Sequence, residues 1–178
     1  MDRRKLPMTS RNKTKGTIFE RKGWIVFIVV SAIFLLFGIG DVIRGMDADP
    51  AIAESFIGMP WEELRATDPE VANLIDLNVQ SGGSQLIVLS ILSIVITLKG
   101  FRQGKQWGWY ALWIWPVWMA TIFVVLLLAP RQPDLPPPPP MLSAPVFFVL
   151  TLLAQVLSYR RFFPKARLEP ALEKGAVA

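Results

Sequence analysis

The sequence predicts an all-α integral membrane protein: a four-transmembrane-helix bundle with a short helical extracytoplasmic cap. Three observations lead to this fold class. Hydrophobic residues make up 52% of the chain, and four long apolar runs contain no Asp, Glu, Lys or Arg. Each run is close to the ~20 residues that a helix needs to cross the hydrocarbon core of a bilayer. The connections between the runs alternate in charge, as the loops of multi-pass proteins do. The runs are Trp24–Gly40, Ser84–Leu98, Trp107–Leu128 and Met141–Ser158.

The predicted organisation is a basic cytoplasmic tail at 1–23, a membrane domain at 24–158 and a cytoplasmic tail at 159–178. An alternative for the first run is a secretory signal peptide, because Ala51-Ile52-Ala53 matches a cleavage pattern. That pattern lies too far beyond the run, and the run is too long for a signal peptide. We therefore expect four retained spans, at about 24–43, 82–98, 107–128 and 141–158.

The basic residues predict the topology. Cytoplasmic connections carry an excess of Lys and Arg, so both termini and the second connection, 99–106, are expected in the cytoplasm. Only Arg44, Arg65 and Arg131 lie in the first and third connections. The remaining basic residues are Arg3, Arg4, Lys5, Arg11, Lys13, Lys15, Arg21, Lys22, Lys99, Arg102, Lys105, Arg160, Arg161, Lys165, Arg167 and Lys174.

The first connection, 41–83, is long and acidic, with nine of the 14 acidic residues. A connection of this length usually carries structure of its own. Pro60 and Asp68-Pro69-Glu70 each predict a helix start, because Pro suits the first helical position and Asp caps a helix N-terminus. The second of these helices is amphipathic. We expect Gly82-Gly83 to interrupt it before the second span. The alternative is that the second span already begins at Val79.

The third span is rich in tryptophan and follows a short basic turn that should make it an antiparallel hairpin with the second span. Trp118 lies about 16 Å deeper than Trp107, at 1.5 Å per residue, and Pro116 predicts a kink. Aromatic faces can enclose a flat apolar ligand such as a quinone or a carotenoid, or they can anchor and pack the helix. The candidate residues for an apolar ligand or a partner face are Trp113, Trp115 and Trp118.

Proline and polar residues mark the end of the membrane domain. The run Pro136–Pro140 predicts a stiff polyproline II strap between the third and fourth spans. Gln155 is the most polar residue deep in any span, so we expect it to form a hydrogen bond with another helix. The aromatic and basic residues of 159–165 are typical of an interfacial anchor.

The composition excludes several kinds of site. The chain has no Cys and no His, which removes thiolate chemistry, the commonest zinc ligands and the commonest general base. We predict no metal and no cofactor, because no metal-binding spacing or phosphate-binding loop occurs. The net charge of +5 is explained by membrane topology, so nucleic acid is not an expected partner. A protein without enzymatic activity is the leading interpretation.

Two segments resemble small four-span membrane proteins of bacteria, a group to which no activity is assigned. The segments are Gly58-Met59-Pro60-Trp61-Glu62-Glu63-Leu64-Arg65-Ala66-Thr67-Asp68-Pro69 and Gly100-Phe101-Arg102-Gln103-Gly104-Lys105-Gln106-Trp107-Gly108-Trp109-Tyr110-Ala111-Leu112-Trp113. The resemblance covers about residues 55–125. It implies a bacterial plasma membrane protein with a helical outer loop and an aromatic span, and it implies no functional residues.

Three hypotheses of function follow. The first is an accessory subunit or self-associating scaffold of a larger membrane complex, which contacts a membrane-protein partner through the acidic outer loop and the aromatic third span. The second is a binder of a membrane lipid or an isoprenoid-type molecule at the tryptophans. The third is a transporter or lipid-modifying enzyme that uses the acids of the outer loop. The third is the least favoured, because few polar residues lie at depth.

Overall fold

The structure, a computed structural model, describes residues 18–130 and 134–163. Most of both predicted tails lies outside these ranges. Within the described residues the elements are α1 (Ile18–Arg44), α2 (Pro50–Ile57), α3 (Trp61–Thr67), α4 (Pro69–Ile96), α5 (Gln106–Ala111), α6 (Ile114–Leu128) and α7 (Pro139–Phe162). A 3₁₀ turn at Gly45–Ala48 follows α1, and a π-helical turn at Thr97–Phe101 follows α4.

Four helical stretches are long and apolar enough to cross a membrane. The part of the chain that the structure describes contains no β-strand. The prediction of an all-α fold with four helices of spanning length is therefore confirmed. The four stretches are Lys22–Ala48, Pro69–Phe101, Gln106–Leu128 and Pro139–Phe162.

Helices α1 and α4 run antiparallel and approach each other closely. A Cβ atom built on Gly38 would lie 2.8 Å from the carbonyl oxygen of Gly83, and one built on Gly45 would lie 2.5 Å from Oδ1 of Asp76. Both pairs have the same register, one heptad apart. At Gly38 and Gly83 the two helix backbones come into van der Waals contact, and such packing contributes to helix association in a bilayer. At Gly45, in the turn after α1, the close neighbour is the Asp76 side chain.

The long helices lie in the order α4, α1, α7, α6. Helix α1 packs extensively on both α4 and α7, and α6 packs on α7, so α4 and α6 are the edges. The predicted hairpin of the second and third spans is limited to their turn, where α5 packs on the π-helical turn. The prediction of a hairpin was wrong beyond this turn, because α4 packs along α1 at the surface that carries Gly38.

The main core of the bundle is aromatic. Phe34 of α1 lies 5.2 Å from Trp115 of α6 and 5.0 Å from Phe147 of α7 between ring centroids, so one ring joins three helices. Aromatic pairs of this kind contribute about 0.5–1.5 kcal/mol beyond the area they bury. The buried members of this core are Phe27, Val30, Phe34, Phe101, Trp109, Leu112, Trp115, Met119, Ala144, Ala154 and Phe162.

Helix α4 is continuous where the sequence predicted two helices. Its start at Pro69 is confirmed, with the Asp68 carboxylate accepting a hydrogen bond from the N–H of Val71 at 3.2 Å. The predicted interruption at Gly82-Gly83 was wrong. Glycine costs about 1 kcal/mol in a helix interior, but the hydrogen in place of a side chain at Gly83 allows the contact with α1.

Prolines shape the other two long helices. The third stretch is interrupted at 112–113, where the N–H of Trp113 bonds the carbonyl of Tyr110 at 3.2 Å. Pro116 follows within one turn, and a proline ring clashes with the carbonyl four residues earlier, which explains this interruption. A bend of the helix at Pro116 stays a prediction. The polyproline strap is shorter than predicted, because Pro139 and Pro140 already form the first turn of α7. The fixed φ of proline suits that position.

Candidate functional site

Residues 45–68, which we call the cap, fold over one end of the bundle. The chain leaves α1 at Gly45 with φ 56° and leaves α2 at Gly58 with φ 79°, conformations that favour glycine. Helix α2 was not predicted, although Asp49-Pro50 carries the same start signal as Asp68-Pro69. The cap is therefore a helical structure, as the acidic connection predicted.

The cap has a hydrophobic core of its own. Trp61 is only 2% exposed, and its ring lies among side chains from the 3₁₀ turn, α2, α3 and α4. Complete burial of an aromatic side chain is a large stabilising contribution for so small a unit. The buried members are Met46, Ala53, Trp61, Leu64 and Ala72, with Ile52, Ile57, Met59, Ile75 and Val79 packed against them.

Asp47 is the centre of a polar network at the edge of this core. Its Oδ1 accepts a hydrogen bond from Trp61 Nε1 at 2.8 Å and another from Arg65 Nη2 at 2.7 Å. The Arg65 guanidinium also lies over the Trp61 ring, 5.1 Å from its centroid. The hydrogen bond to Asp47 raises the pKa of Arg65 above its ordinary value. This network fixes α3 to the turn after α1.

Asp76 fastens the cap to α4. Its Oδ1 accepts a hydrogen bond from the backbone N–H of Met46 at 2.8 Å, and its Oδ2 lies 3.7 Å from Arg65 Nη2. Glu54 has a similar role, because its Oε1 accepts from the backbone N–H of Trp61 at 3.3 Å. Asp76 of α4 and Glu54 of the cap therefore hold backbone and side-chain donors in place.

An open cleft of about 720 Å³ lies beside this network. It is lined by both charge signs, with Arg44 and Arg65 facing Asp47, Glu54 and Glu62. Among the described residues no group of three or more His, Cys, Asp or Glu side chains is placed to hold a metal ion. The cleft can therefore bind a polar or charged group, and it presents no set of metal ligands within the described ranges.

An acidic rim extends from Glu62, at the edge of the cleft, to Glu70 in the first turn of α4. Its members are exposed, and no described basic residue forms a salt bridge with them. Exposed charges of one sign attract an oppositely charged partner over about a Debye length, close to 8 Å at physiological ionic strength. The rim consists of Glu62, Glu63, Asp68 and Glu70.

The structure separates the three candidate tryptophans of the third span. Trp115 is fully buried and lies 5.9 Å from Trp118 between ring centroids. Trp118 also makes an edge contact with Phe34 at 5.5 Å. Trp113 lies apart from this pair, 5.7 Å from Trp109. Both Trp113 and Trp118 are partly exposed, so they can also be reached from outside the bundle.

Gln155 joins α7 to α5, as its depth in the fourth span predicted. Its amide nitrogen donates to the backbone carbonyl of Trp109. In return Trp109 Nε1 donates to the backbone carbonyl of Gln155 at 3.0 Å. The other amide atom of this residue, Gln155 Oε1, and the indole nitrogen Nε1 of Trp115 are buried without a hydrogen-bond partner among the described residues. A buried indole N–H normally has such a partner.

Sequence reasoning found the acidic connection but missed the network inside it. Asp47 lies in the 3₁₀ turn, Trp61 and Arg65 lie in α3, and Asp76 lies in α4. Only the four-residue spacing of Trp61 and Arg65 on α3 is a local relation. One signal was available, because Arg65 is one of only two basic residues in an acidic connection and such a residue is expected to pair.

Comparison with known proteins gives no match: neither a family model, nor a curated protein sequence, nor a solved structure is similar to this chain.

Proposed function

We propose that the chain is a multi-pass membrane protein without enzymatic activity that acts as an accessory subunit or scaffold of a larger membrane complex. In this proposal both termini and the turn at 99–106 lie in the cytoplasm of a bacterium, and the cap lies on the other side of the plasma membrane. The alternation of basic and acidic connections supports this orientation. The resemblance to small four-span bacterial proteins supports the proposed source.

The observation that carries the proposal is the construction of the cap. Its buried core and its Asp47 network hold α2 and α3 in one arrangement on α4. The exposed acids of the rim are then presented at fixed positions instead of on a mobile loop. A pre-organised charged surface reduces the ordering cost of binding. The expected partner is a membrane protein with a basic patch on the same side of the membrane.

The roles of the other cap acids support an interaction surface over a reaction site. Asp47, Glu54 and Asp76 each accept hydrogen bonds that hold the cap together. Among the rim acids, Asp68 accepts the backbone N–H of Val71 as the N-cap of α4. Glu62, Glu63 and Glu70 form no salt bridge with a described basic residue, so they remain available to a partner.

Site-specific photocrosslinking in native membranes tests this role. A photoreactive residue in place of Glu63 should capture one membrane protein, and the capture should disappear when Glu62 and Glu70 are changed to Gln in the same chain. Asp134 is an exposed acid outside the cap, so the same residue at position 134 is the matched control. Equal capture at both positions, or none at Glu63, would contradict the proposal.

A lipid or isoprenoid-type ligand at the third span is a second candidate. The unpartnered Nε1 of Trp115 favours it, because a polar group on a ligand would complete that hydrogen bond. Trp113→Ala and Trp118→Ala should then lose an apolar molecule that co-purifies with the protein. Trp107→Ala is the control, since Trp107 is exposed at the turn. Unchanged lipid extracts from all three variants would exclude this candidate.

A further inference from the structure

The outward face of α4 carries an unpartnered heptad seam. Its residues alternate in steps of three and four along the helix, the spacing of the a and d positions of a coiled coil. All of them are exposed, because the opposite face of α4 packs on α1. From the cap end they are Leu74, Leu77, Ser81, Ser84, Val88, Ile91 and Val95.

Lipid does not suit the middle of this seam. The α1–α4 register, which pairs Gly38 with Gly83, also places Gln85 level with Leu36 and Ser84 level with Phe37. Leu36 is 68% exposed and Phe37 is 54% exposed, so α1 presents apolar side chains at the height where α4 presents polar ones. The amide of Gln85, exposed at that height, is costly in hydrocarbon unless another helix supplies its hydrogen bonds. In the same register Gln80 is level with Asp41, closer to the cap.

The amides flank the seam at positions that face a parallel partner. With Leu74 as position a, Asn73 and Gln80 occupy g positions, and Asn78 and Gln85 occupy e positions. In a parallel pair of helices, a g residue meets the e residue of the following heptad on the other helix. Asn73 would therefore meet Asn78 of the second copy, and Gln80 would meet Gln85.

These side chains are complementary to themselves. An amide offers two donor hydrogens and an acceptor oxygen, so Gln80 of one copy can both donate to and accept from Gln85 of another. Neither Gln80 nor Gln85 forms a side-chain hydrogen bond with a described residue, whereas Asn78 and Ser84 donate to the carbonyls of Leu74 and Gln80. Of the four amides, only Asn78 has a side-chain hydrogen bond with a described residue, so Asn73, Gln80 and Gln85 keep their full capacity for a second copy.

We propose that α4 forms a parallel homodimer with α4 of a second copy. The inference rests on the proposed membrane topology, which gives both copies the same orientation and makes a two-fold axis along the membrane normal the natural symmetry. Ser81 and Ser84 lie at the centre of the seam and let the two helices approach closely. Dimerisation needs no second protein, so it goes beyond the proposed role of the cap.

Disulfide scanning tests the seam, because the chain has no native cysteine. Ser81→Cys, Ser84→Cys and Val88→Cys should each give a covalent dimer in membranes treated with copper phenanthroline. Gly82→Cys is the matched control, since a side chain there points into open space at a position beside the seam. Equal cross-linking at residues 82 and 84, absence of cross-linking at all four, or linkage of Ser84→Cys to a different protein would overturn the proposal.

A second measurement keeps the test independent of thiol reactivity. Energy transfer between labelled copies of the full chain in liposomes gives the dimer fraction. Gln85→Leu should weaken dimerisation about threefold to thirtyfold for each amide pair lost. Gln103→Leu, the same change at an exposed residue outside α4, should have no effect. An equal dimer fraction in both variants would overturn the proposal that α4 forms the dimer interface.

The cap variant separates this inference from the proposed function. A chain with Glu62, Glu63 and Glu70 changed to Gln should lose its membrane-protein partner and keep the dimer. Loss of the dimer in that variant would overturn the assignment of dimerisation to α4. If the dimer persists and no partner is found, the assignment of the dimer interface to α4 stands, and only the proposed role of the cap is contradicted.

Discussion

The indole N–H of Trp61 donates to the carboxylate of Asp47 at 2.8 Å, across two elements of the cap. The same carboxylate oxygen accepts from Arg65 at 2.7 Å. A buried aromatic ring is thereby connected to an exposed charged pair, so the packing of the cap and its surface charge depend on each other.

Replacing Trp61 should unfold the cap locally. Trp61→Ala removes the largest side chain of the cap core and should cost about 3–5 kcal/mol. Hydrogen–deuterium exchange in detergent micelles should show loss of protection in α2 and α3, with little change in α7. Trp107→Ala is the control, because Trp107 is exposed. Unchanged protection of α2 and α3 would mean that the cap is held by other contacts.

Two adjacent glycines of α4 should respond in opposite directions. The methyl group of Gly83→Ala would lie 2.6 Å from Cβ of Asp41 and 2.8 Å from the carbonyl oxygen of Gly38, so overpacking should cost about 1–3 kcal/mol. Gly82→Ala meets nothing within 4 Å and should stabilise the helix by up to about 1 kcal/mol. Reversible unfolding in micelles measures both, and equal effects would contradict the α1–α4 contact.

Asp49 should make cap stability depend on pH. Burial raises the pKa of its carboxyl above the ordinary value, so the folded cap favours the protonated acid. Ionisation at neutral pH then opposes folding, and this penalty disappears as the pH falls below the ordinary range of aspartate. Asp49→Asn should therefore stabilise the cap at pH 7 and not at pH 3. Amide hydrogen exchange of α2 measures the gain in stability. An equal gain at both pH values would exclude burial of the Asp49 charge as its cause.

The amide of Gln155 should stabilise the packing of α7 on α5. Gln155→Leu removes its hydrogen bond to the carbonyl of Trp109, a change worth about 0.6–2 kcal/mol for a bond between membrane helices. Gln103→Leu provides the same chemical change at an exposed site. If both variants unfold at the same denaturant concentration as the parent chain, the hydrogen bond makes no net contribution.

The helical content was predictable, because run length and charge exclusion are local properties. Lengths near 20 apolar residues predicted four spanning helices, and Asp68-Pro69 predicted the start of α4. The continuity of α4 was not predictable from Gly82-Gly83, since it depends on a glycine of α1 that is distant in sequence. The order of helices was missed for the same reason.

The candidate sites were predicted less well. Tryptophan content marked the third span, but nothing local distinguishes Trp115, which α1 covers with Phe34, from Trp113 and Trp118, which stay partly exposed. The Asp47 network needs residues from three elements, the 3₁₀ turn, α3 and α4. The spacing of three and four residues along the seam of α4 is present in the sequence. The sequence does not show that this face is exposed, since exposure depends on the packing of the opposite face on α1.

Purification from the native membrane in a mild detergent, followed by mass spectrometry of proteins and lipids, tests the central claim most directly. The account predicts one stoichiometric membrane-protein companion, which is lost when Glu62, Glu63 and Glu70 are changed to Gln and retained in Asp134→Asn. A companion that both variants keep, or a preparation without any companion, would contradict the proposed role of the cap.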